Sequence, residues 1–165
     1  NRFYFVHPDG AVQHYDKKHL FTFGGEHKRF TAGTERVVVN FRGVRILLEV
    51  CYDLRFPVWS RNLGDYDMIL YVASWPTPRV DAWSALLRAR AIENQCYVAG
   101  VNRMGVDPAC EYSGGSAIID PYGKTIAECP WSRESAVSAD IDMEALQDFR
   151  KKFPVLDDAD PFTLI

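Results

Sequence analysis

Short apolar runs typical of strands alternate with segments of helical pattern along the whole chain, and no other property restricts the fold as much. Tyr66–Ala73 is an almost continuous apolar run, and Tyr97–Val101 is a second one. Runs of this kind form strands that are buried on both faces. Between them the periodicity changes to that of a helix. The sequence therefore predicts a mixed α/β domain built in layers.

Turn residues divide further apolar runs into hairpins. Pro8-Asp9-Gly10 has the chemistry of a tight turn, because Pro fixes φ, Asp bonds the local backbone and Gly accepts a positive φ. Three hairpins are predicted in this way, with strands at Phe3–His7 and Ala11–Tyr15, at Arg36–Phe41 and Val44–Val50, and at Ala117–Asp120 and Lys124–Glu128. A further strand is predicted at Ala136–Ile141.

Three segments carry helix signals. Thr77 and Pro78 have the residue types of an N-cap followed by the first helical position. The helix that they open has a predicted apolar stripe made of Ala82, Leu86, Ala89 and Ile92. On the same helix Arg90 and Glu93, three residues apart, are expected to form a structural pair. Shorter helices are predicted at Pro57–Leu63 and Met143–Lys152.

Length and charge restrict the class of protein. The 165 residues suffice for one compact domain with a sizeable core. The net charge of −3 gives no reason to expect nucleic acid or an anionic membrane as a partner. No run approaches the roughly 18 apolar residues that span a bilayer. The chain opens inside a strand-like run without an initiator Met or a signal-like segment, so we expect it to be the C-terminal part of a longer protein.

The cysteines and histidines do not form a metal-binding pattern. The four cysteines, at positions 51, 96, 110 and 129, include no CxxC pair, so neither a zinc site nor a redox dithiol is predicted. The histidines lack the spacing of a metallohydrolase helix. A chain of this size needs no disulfides, and free thiols in a reducing cytoplasm are expected. Three of the cysteines are interpreted as structural: Cys96, Cys110 and Cys129.

Cys51 lies where a buried strand ends. The run Leu47–Val50, interrupted by Glu49, precedes it, and polar residues followed by a helix candidate come after it. This strand–turn–helix order is that of a nucleophile elbow, which exposes the sulfur and aims the next backbone N–H, that of Tyr52, at an oxyanion. The alternative is an inert buried thiol, as most cytosolic cysteines are.

The block YDKKHLF, residues 15–21, supplies two candidate ammonium groups. Lys17 and Lys18 are adjacent, so a strand directs them to opposite faces and at most one points inward. An ammonium close to Cys51 favours the thiolate. Strand parity alone does not decide which lysine points inward.

Together these blocks resemble the carbon–nitrogen hydrolase (nitrilase) superfamily. YDKKHLF and EVCYDLRFP are similar to two of its blocks, and so are ASWPTPRVDAWSALLRARAIENQCYVAGVNR, YSGGSAIIDPYG and FRKKFP, in the family's order. RFPVWSRN and WPTPR are most similar to the bacterial omega-amidase group. The resemblance implies a four-layer α-β-β-α sandwich, of which residues 1–165 form the C-terminal two thirds, without the N-terminal strands and helices.

The resemblance also assigns catalytic residues. Cys51 falls on the family's nucleophile and Lys17 on its catalytic lysine, which settles the choice between the two lysines. Glu26, seven residues before Gly33, falls on the second glutamate, which positions the lysine or the substrate. The first glutamate, the general acid/base, has no counterpart here and is expected in a segment before Asn1.

Four more residues near the predicted elbow have alternative interpretations. Trp75 follows a buried strand and is expected at the same sheet edge as Cys51, where it either walls a substrate pocket or belongs to the core. Arg79 either meets a substrate carboxylate or is solvated at the surface. Asp53 and Arg55 are expected to form a local ion pair that shapes the elbow, in preference to a catalytic role for either.

The implied activity is hydrolysis of a non-peptide carbon–nitrogen bond through a cysteine thioester. Cys51 attacks a primary amide, Lys17 and the Tyr52 N–H hold the oxyanion, and the missing glutamate protonates ammonia and activates water. The omega-amidase resemblance implies the monoamide of a short dicarboxylic acid, such as 2-oxoglutaramate, no metal or organic cofactor, and a homodimer or higher homo-oligomer. Two alternatives stay open: another amidase, carbamoylase or nitrilase with the same triad, and a non-catalytic scaffold of the same fold.

Overall fold

The computed structural model describes residues 1–163. In chain order its strands and helices are β1 Arg2–Val6, β2 Val12–Asp16, β3 Val38–Phe41, β4 Val44–Val50, α1 Pro57–Ser60, β5 Met68–Ala73, α2 Val80–Glu93, β6 Tyr97–Asn102, β7 Met104–Val106, β8 Glu111–Ser113, β9 Ala117–Ile119, β10 Thr125–Glu128 and α3 Met143–Lys152. Six strands form the central sheet in the order β10-β9-β6-β5-β4-β3, and two further pairs, β1-β2 and β7-β8, stand apart from it. Strands β4, β5 and β6 are parallel to one another, whereas β3, β9 and β10 pair antiparallel.

The two faces of this sheet belong to two separate cores. On one face Leu47 and Ile69 pack with Trp83 and Leu87 of α2. On the other face the even-numbered residues of β4 pack with Tyr15 and other aromatic residues of the β1-β2 hairpin. The period of two along a strand explains this division. The predicted mixed α/β fold is confirmed, and the described residues supply a helix layer, the sheet and a hairpin layer.

The three predicted hairpins are present, and the first turn has the predicted chemistry. In the first turn Gly10 has a φ of +87° and the Asp9 carboxylate accepts a hydrogen bond from a backbone N–H two residues on. Between β3 and β4, Arg42 and Gly43 both have positive φ, the geometry of a two-residue turn that matches strand twist. β9 and β10 form the third hairpin.

The predicted apolar face of α2 is displaced by about one position, since Ala82 and Leu86 are only partly buried where they pack against the core. Ile92 is half exposed, and the fully buried apolar residues are Trp83, Leu87 and Ala91. The cause lies in β6, because a Cβ at Gly100 would collide with the side chains of Trp83 and Leu87. The large side chains on α2 therefore settle over a glycine that the helical pattern alone does not reveal.

The start of this helix also differs from the prediction. Thr77 begins a 3₁₀ turn that leads into α2, and its side chain caps no backbone N–H. The helix predicted at Pro57–Leu63 is shorter in the structure, because α1 ends at Ser60. Met143–Lys152 is confirmed as α3, with an Asp142 side chain that accepts from the Ala145 N–H at 2.8 Å.

The predicted strand at Ala136–Ile141 is wrong. This segment pairs with no strand of residues 1–163, and its residues 136–138 are exposed to solvent. Ala136 and Val137 are the only adjacent apolar residues, too little to bury a face. Conversely, the short β7-β8 pair, which the sequence analysis did not predict, projects from the end of β6. No helix among the described residues is long and apolar enough to cross a bilayer.

Candidate active site

Cys51 follows the last residue of β4 and begins a 3₁₀ turn that ends at Arg55. Its φ is +49°, a left-handed conformation that costs free energy for any residue with a Cβ. The half-buried sulfur lies 3.8 Å from the carbonyl oxygen of Ser74, at the end of the neighbouring strand β5. The predicted strand-to-turn elbow is therefore present, at the edge where the parallel strands end.

Lys17 is the lysine that points inward. Its side chain is only 1% exposed, and its Nζ lies 2.7 Å and 3.0 Å from the two carboxylate oxygens of Glu26. Lys18 takes the opposite direction and places its ammonium 5.2 Å from the centre of the Trp59 ring. The alternation of side chains at the end of β2 produces this separation.

Glu26 belongs to a loop that returns to β2. The loop closes at Gly33, whose N–H donates to the Lys17 carbonyl at 2.8 Å, and a Cβ there would collide with the backbone of Asp16. The Glu26 carboxylate also accepts from the Phe21 N–H at 2.8 Å. Burial opposes its ionisation, but the bonds from Lys17 and Phe21 hold the pKa of Glu26 below its usual value. The carboxylate is therefore a permanent counterion for the lysine.

A cleft of about 500 Å³ joins these groups. Its lining includes Cys51, Lys17, Glu26, Arg79, Cys110 and Tyr112. A recess of about 40 Å³ beside the sulfur is lined in addition by Tyr52, Arg55 and Trp75. The cleft and the recess thus bring together six residues that the sequence analysis assigned to the site: Cys51, Lys17, Glu26, Tyr52, Trp75 and Arg79.

The groups around the Cys51 sulfur favour the thiol over the thiolate. Burial raises the pKa of Cys51, the positive charge of Lys17 acts in the opposite direction, and the carboxylates of Glu26 and Asp53 add to the increase. The balance lies above the ordinary cysteine value, so the described residues do not produce the thiolate that the nearby lysine was expected to favour. Attack on a substrate therefore requires transfer of this proton to a base.

Tyr52 is the second residue of the 3₁₀ turn, a position where a backbone N–H has no acceptor within its own helix. Its ring packs against Phe21 and Phe56, with ring centroids 5.0 Å and 5.1 Å apart. These contacts fix the peptide next to the sulfur. Its N–H is a donor of the kind that an oxyanion needs.

The expected ion pair between Asp53 and Arg55 is wrong. The Asp53 carboxylate is fully buried and accepts hydrogen bonds from the hairpin layer, for example from the Tyr15 hydroxyl at 2.9 Å. Arg55 extends to the other side of the turn, with its guanidinium 4.9 Å from the centre of the Trp75 ring. The two side chains diverge because the turn separates the core from the cleft. By contrast, the predicted pair of Arg90 and Glu93 is present at 2.8 Å.

Trp75 is both a core residue and a wall of the recess. It is 3% exposed, its indole N–H donates to the Arg79 carbonyl at 2.6 Å, and its ring packs against Trp83. Arg79 lies over the Phe21 ring at 5.5 Å and forms no salt bridge within residues 1–163. A cation without a carboxylate partner therefore lines the cleft.

Two contributions to the site were not predicted. Cys110, interpreted above as structural, lies in the loop between β7 and β8 and lines the cleft together with Tyr112 of β8. Asn102, at the end of β6, is buried and binds the Trp75 backbone, accepting from its N–H at 2.7 Å and donating to its carbonyl oxygen at 2.9 Å. A polar residue at the end of an apolar run was the available signal for Asn102. The described residues contain no cluster of ligands for a metal ion.

Comparison with known proteins identifies the family of this chain. Residues 1–151 match the model of the Carbon-nitrogen hydrolase family. The chain is 55% identical to omega-amidase YafV of Escherichia coli (strain K12) over 99% of its length, and 40% identical to 2-oxoglutaramate amidase of Bacillus subtilis (strain 168) over 96%. It covers 64% and 62% of those two proteins, so it spans just under two thirds of their length.

One solved structure is similar over nearly the whole chain. It is a CN-hydrolase superfamily protein from Xanthomonas campestris, with a TM-score of 0.96 and 49% identity, of which the chain covers 65% while 99% of the chain is matched. That crystal structure carries an arsenic adduct in its active site.

Proposed function

Because the chain belongs to the carbon–nitrogen hydrolase family, we propose that it hydrolyses the amide bond of a short omega-amide with Cys51 as nucleophile. The observation that carries the proposal is the shared cleft, in which the sulfur at a strained strand end meets the buried ion pair of Lys17 and Glu26. Relatives named omega-amidase and 2-oxoglutaramate amidase support the choice of substrate class.

In the first step the Cys51 sulfur attacks the amide carbon and its proton passes to a carboxylate base. The carbonyl oxygen becomes an oxyanion, held by the Lys17 ammonium and the Tyr52 N–H. Removing one such contact typically costs about 3 kcal/mol, or roughly a hundredfold in rate. Lys17 therefore contributes most at the moment when negative charge appears on the oxygen.

Glu26 acts through Lys17. The two contacts to Glu26 give the buried ammonium a counterion and fix its direction. The same contacts reduce its effect on the resting thiol. Its charge therefore acts more strongly on the oxyanion than on the thiol.

The tetrahedral intermediate collapses to a thioester as the amide nitrogen takes a proton and leaves as ammonia. A water molecule then loses a proton to the same carboxylate and attacks the thioester, which releases the acid and restores the thiol. We place this general acid/base, a glutamate in the family pattern, outside residues 1–165. In this proposal the chain is the C-terminal two thirds of one hydrolase domain, and its matched relatives are correspondingly longer.

For the substrate, we propose the monoamide of a short dicarboxylic acid, such as 2-oxoglutaramate. Arg79, which has no carboxylate partner among the described residues, is suited to the free carboxylate, and Trp75 walls the recess beside the sulfur. Another amide, a carbamoyl compound or a nitrile is the alternative on the same residues. No metal or organic cofactor takes part in these steps.

We also propose a cytoplasmic homodimer or higher homo-oligomer. The four free thiols support a reducing compartment. Val58 on α1 and Leu63 just after it are 54% and 61% exposed, apolar surface of the kind that assembly covers. Sedimentation of the purified protein tests the assembly.

Ammonia release from 2-oxoglutaramate by the intact protein tests the activity. Turnover is expected in the wild type and in Lys18→Met, because Lys18 points away from the cleft, and it is expected to be absent in Cys51→Ala. Lys17→Met is expected to slow turnover by about a hundredfold or more. Turnover of a nitrile or carbamoyl compound instead contradicts the substrate, and no turnover of any of these compounds supports the scaffold alternative.

A further inference from the structure

One buried carboxylate connects the two halves of the proposed site. Asp53 is 0% exposed. Its Oδ2 accepts from the Tyr15 hydroxyl at 2.9 Å and from the Val50 N–H at 3.1 Å. Its Oδ1 accepts from the His19 N–H at 2.9 Å, and His19 Nδ1 lies 2.8 Å from the same oxygen, a donor in the tautomer protonated there. Tyr15 and His19 stand two residues before and two residues after Lys17.

The groups around this carboxylate are themselves fixed. The Tyr15 hydroxyl accepts from the Lys18 N–H and from the Trp59 indole N–H, both at 3.1 Å. The His19 ring stacks on Phe56 at 3.8 Å with an interplanar angle of 6°. A buried network whose members are all satisfied is rigid, because each change of position breaks a bond that water cannot replace. The strand end that carries Lys17 is therefore held against the elbow.

We propose that Asp53 is a positioning residue, which sets the placement of the Lys17 ammonium relative to the Cys51 sulfur by binding both chain segments to one carboxylate. The inference rests on the proposed function. Asp53 does not line the cleft, and its negative charge raises the pKa of Cys51. Its charge thus works against the thiolate, and its benefit lies in the geometry.

The donors around the carboxylate explain why an amide cannot replace it. Each oxygen accepts from one backbone N–H, that of Val50 for Oδ2 and that of His19 for Oδ1. In Asp53→Asn the NH₂ group faces one of these N–H groups whichever way the amide is turned. Two donors then oppose each other, so the variant must release either the elbow or the segment after Lys17.

The test is the pH midpoint of Cys51 alkylation by iodoacetamide in the intact protein, read on the Cys51 peptide by mass spectrometry. Asp53→Asn removes a negative charge, which by itself lowers the midpoint. If the variant also displaces Lys17, the loss of its positive charge raises the midpoint by about one pH unit. We expect the increase to prevail with Lys17 present, and a decrease when the same change is made in a Lys17→Met background.

Two further variants complete the test. Asp16→Asn is the matched control, because it makes the same change at a surface carboxylate one residue before Lys17. Asp16 pairs with Arg2 at 2.7 Å. The control is expected to leave the pH midpoint of Cys51 alkylation unchanged. Tyr15→Phe removes one donor of the network and is expected to shift the midpoint upward by less than Asp53→Asn. If Asp53→Asn does not fold, the midpoint of Tyr15→Phe tests the positioning role instead.

If Asp53→Asn lowers the pH midpoint of Cys51 alkylation both in the wild type and in the Lys17→Met background, the proposal is overturned, because Asp53 then acts only as a charge. If Asp53→Asn does not fold, an unchanged midpoint in Tyr15→Phe also overturns it. Alkylation requires no amide turnover, so a failure of the omega-amidase proposal leaves this measurement intact. Conversely, if the protein has full omega-amidase activity but Asp53→Asn lowers the alkylation midpoint in both backgrounds, only the positioning role of Asp53 is refuted.

Discussion

Lys17 and Glu26, nine residues apart, form an ion pair in which the lysine is almost completely buried and bonded to both carboxylate oxygens. Three donors converge on this carboxylate, and the third is the side chain of Asn1 at 2.9 Å. An ammonium taken out of water stays charged only with such a partner. The pair therefore links the stability of the fold to the charge in the site.

Glu26→Gln is expected to lower the free energy of unfolding by about 2 kcal/mol, since it leaves the Lys17 charge buried without a counterion. This loss is smaller than the roughly 3 to 5 kcal/mol typical of a fully buried pair, because the Glu26 side chain is 22% exposed. Urea denaturation measures the effect. Asp148→Asn, which breaks the exposed pair with Lys152, is the control and is expected to change little. Equal effects of the two variants contradict the buried pair.

Glu49 is expected to make the stability depend on pH. This carboxyl is 0% exposed and accepts from the Ser60 hydroxyl at 2.9 Å, and burial raises its pKa to about 8. The folded state keeps the proton at pH values where the unfolded carboxyl has lost it. The stabilisation is therefore complete below the unfolded pKa of about 4.5 and is lost as the pH rises towards 8.

Glu49→Gln is expected to remove this dependence. Between pH 5 and pH 8 the variant gains about 3 kcal/mol of unfolding free energy relative to the wild type. Urea denaturation of both proteins at the two pH values measures the difference. Parallel pH curves for the two proteins are the opposite outcome and mean that the folded carboxyl is ionised.

Cys51→Gly is expected to be more stable than Cys51→Ala, because glycine adopts the +49° φ of this position without strain. The expected difference is about 1 kcal/mol. Cys96 is a buried position without a positive φ. There Cys96→Ala is expected to be more stable than Cys96→Gly. Thermal or urea unfolding of the four variants tests this, and the same order at both positions argues against strain at the elbow.

Arg79→Met is expected to raise KM for a substrate with a free carboxylate by about tenfold or more, since a charged hydrogen bond contributes roughly 1.5 to 3 kcal/mol. KM for a neutral amide of the same length is expected to change little. Arg88→Met, the same change at an exposed position on α2, is the control. If both substrates are affected equally, Arg79 does not recognise the carboxylate.

Local chemistry was sufficient to predict the parts of the site that lie within one strand and its turn. Cys51 at the end of β4 and the turn at Pro8-Asp9-Gly10 depend on neighbours in sequence, and both were predicted correctly. The choice between Lys17 and Lys18 required the family resemblance, because parity separates two adjacent side chains without saying which face is inside. The structure confirms that Lys17 is the buried one.

Features that depend on distant neighbours were not predicted. The buried face of α2 is set by the glycine of β6 beneath it, and Asp53 forms its bonds with residues that lie 34 and 38 positions earlier in the chain. A local pattern contains neither piece of information. For the same reason Asp53 was assigned to the nearest cation, Arg55, although the fold provides neutral donors that are further away in sequence.

Strand β4 separates the two cores by the parity of its residues and ends directly at the sulfur. Deleting a single codon between Val44 and Val50 would exchange the side chains of the two cores along part of the strand and turn the thiol away from the cleft. Deleting two codons would restore the parity but withdraw the elbow by roughly 6.6 Å. Insertions and deletions are therefore tolerable in the surface loops of this protein, while the length of this strand is fixed to the residue.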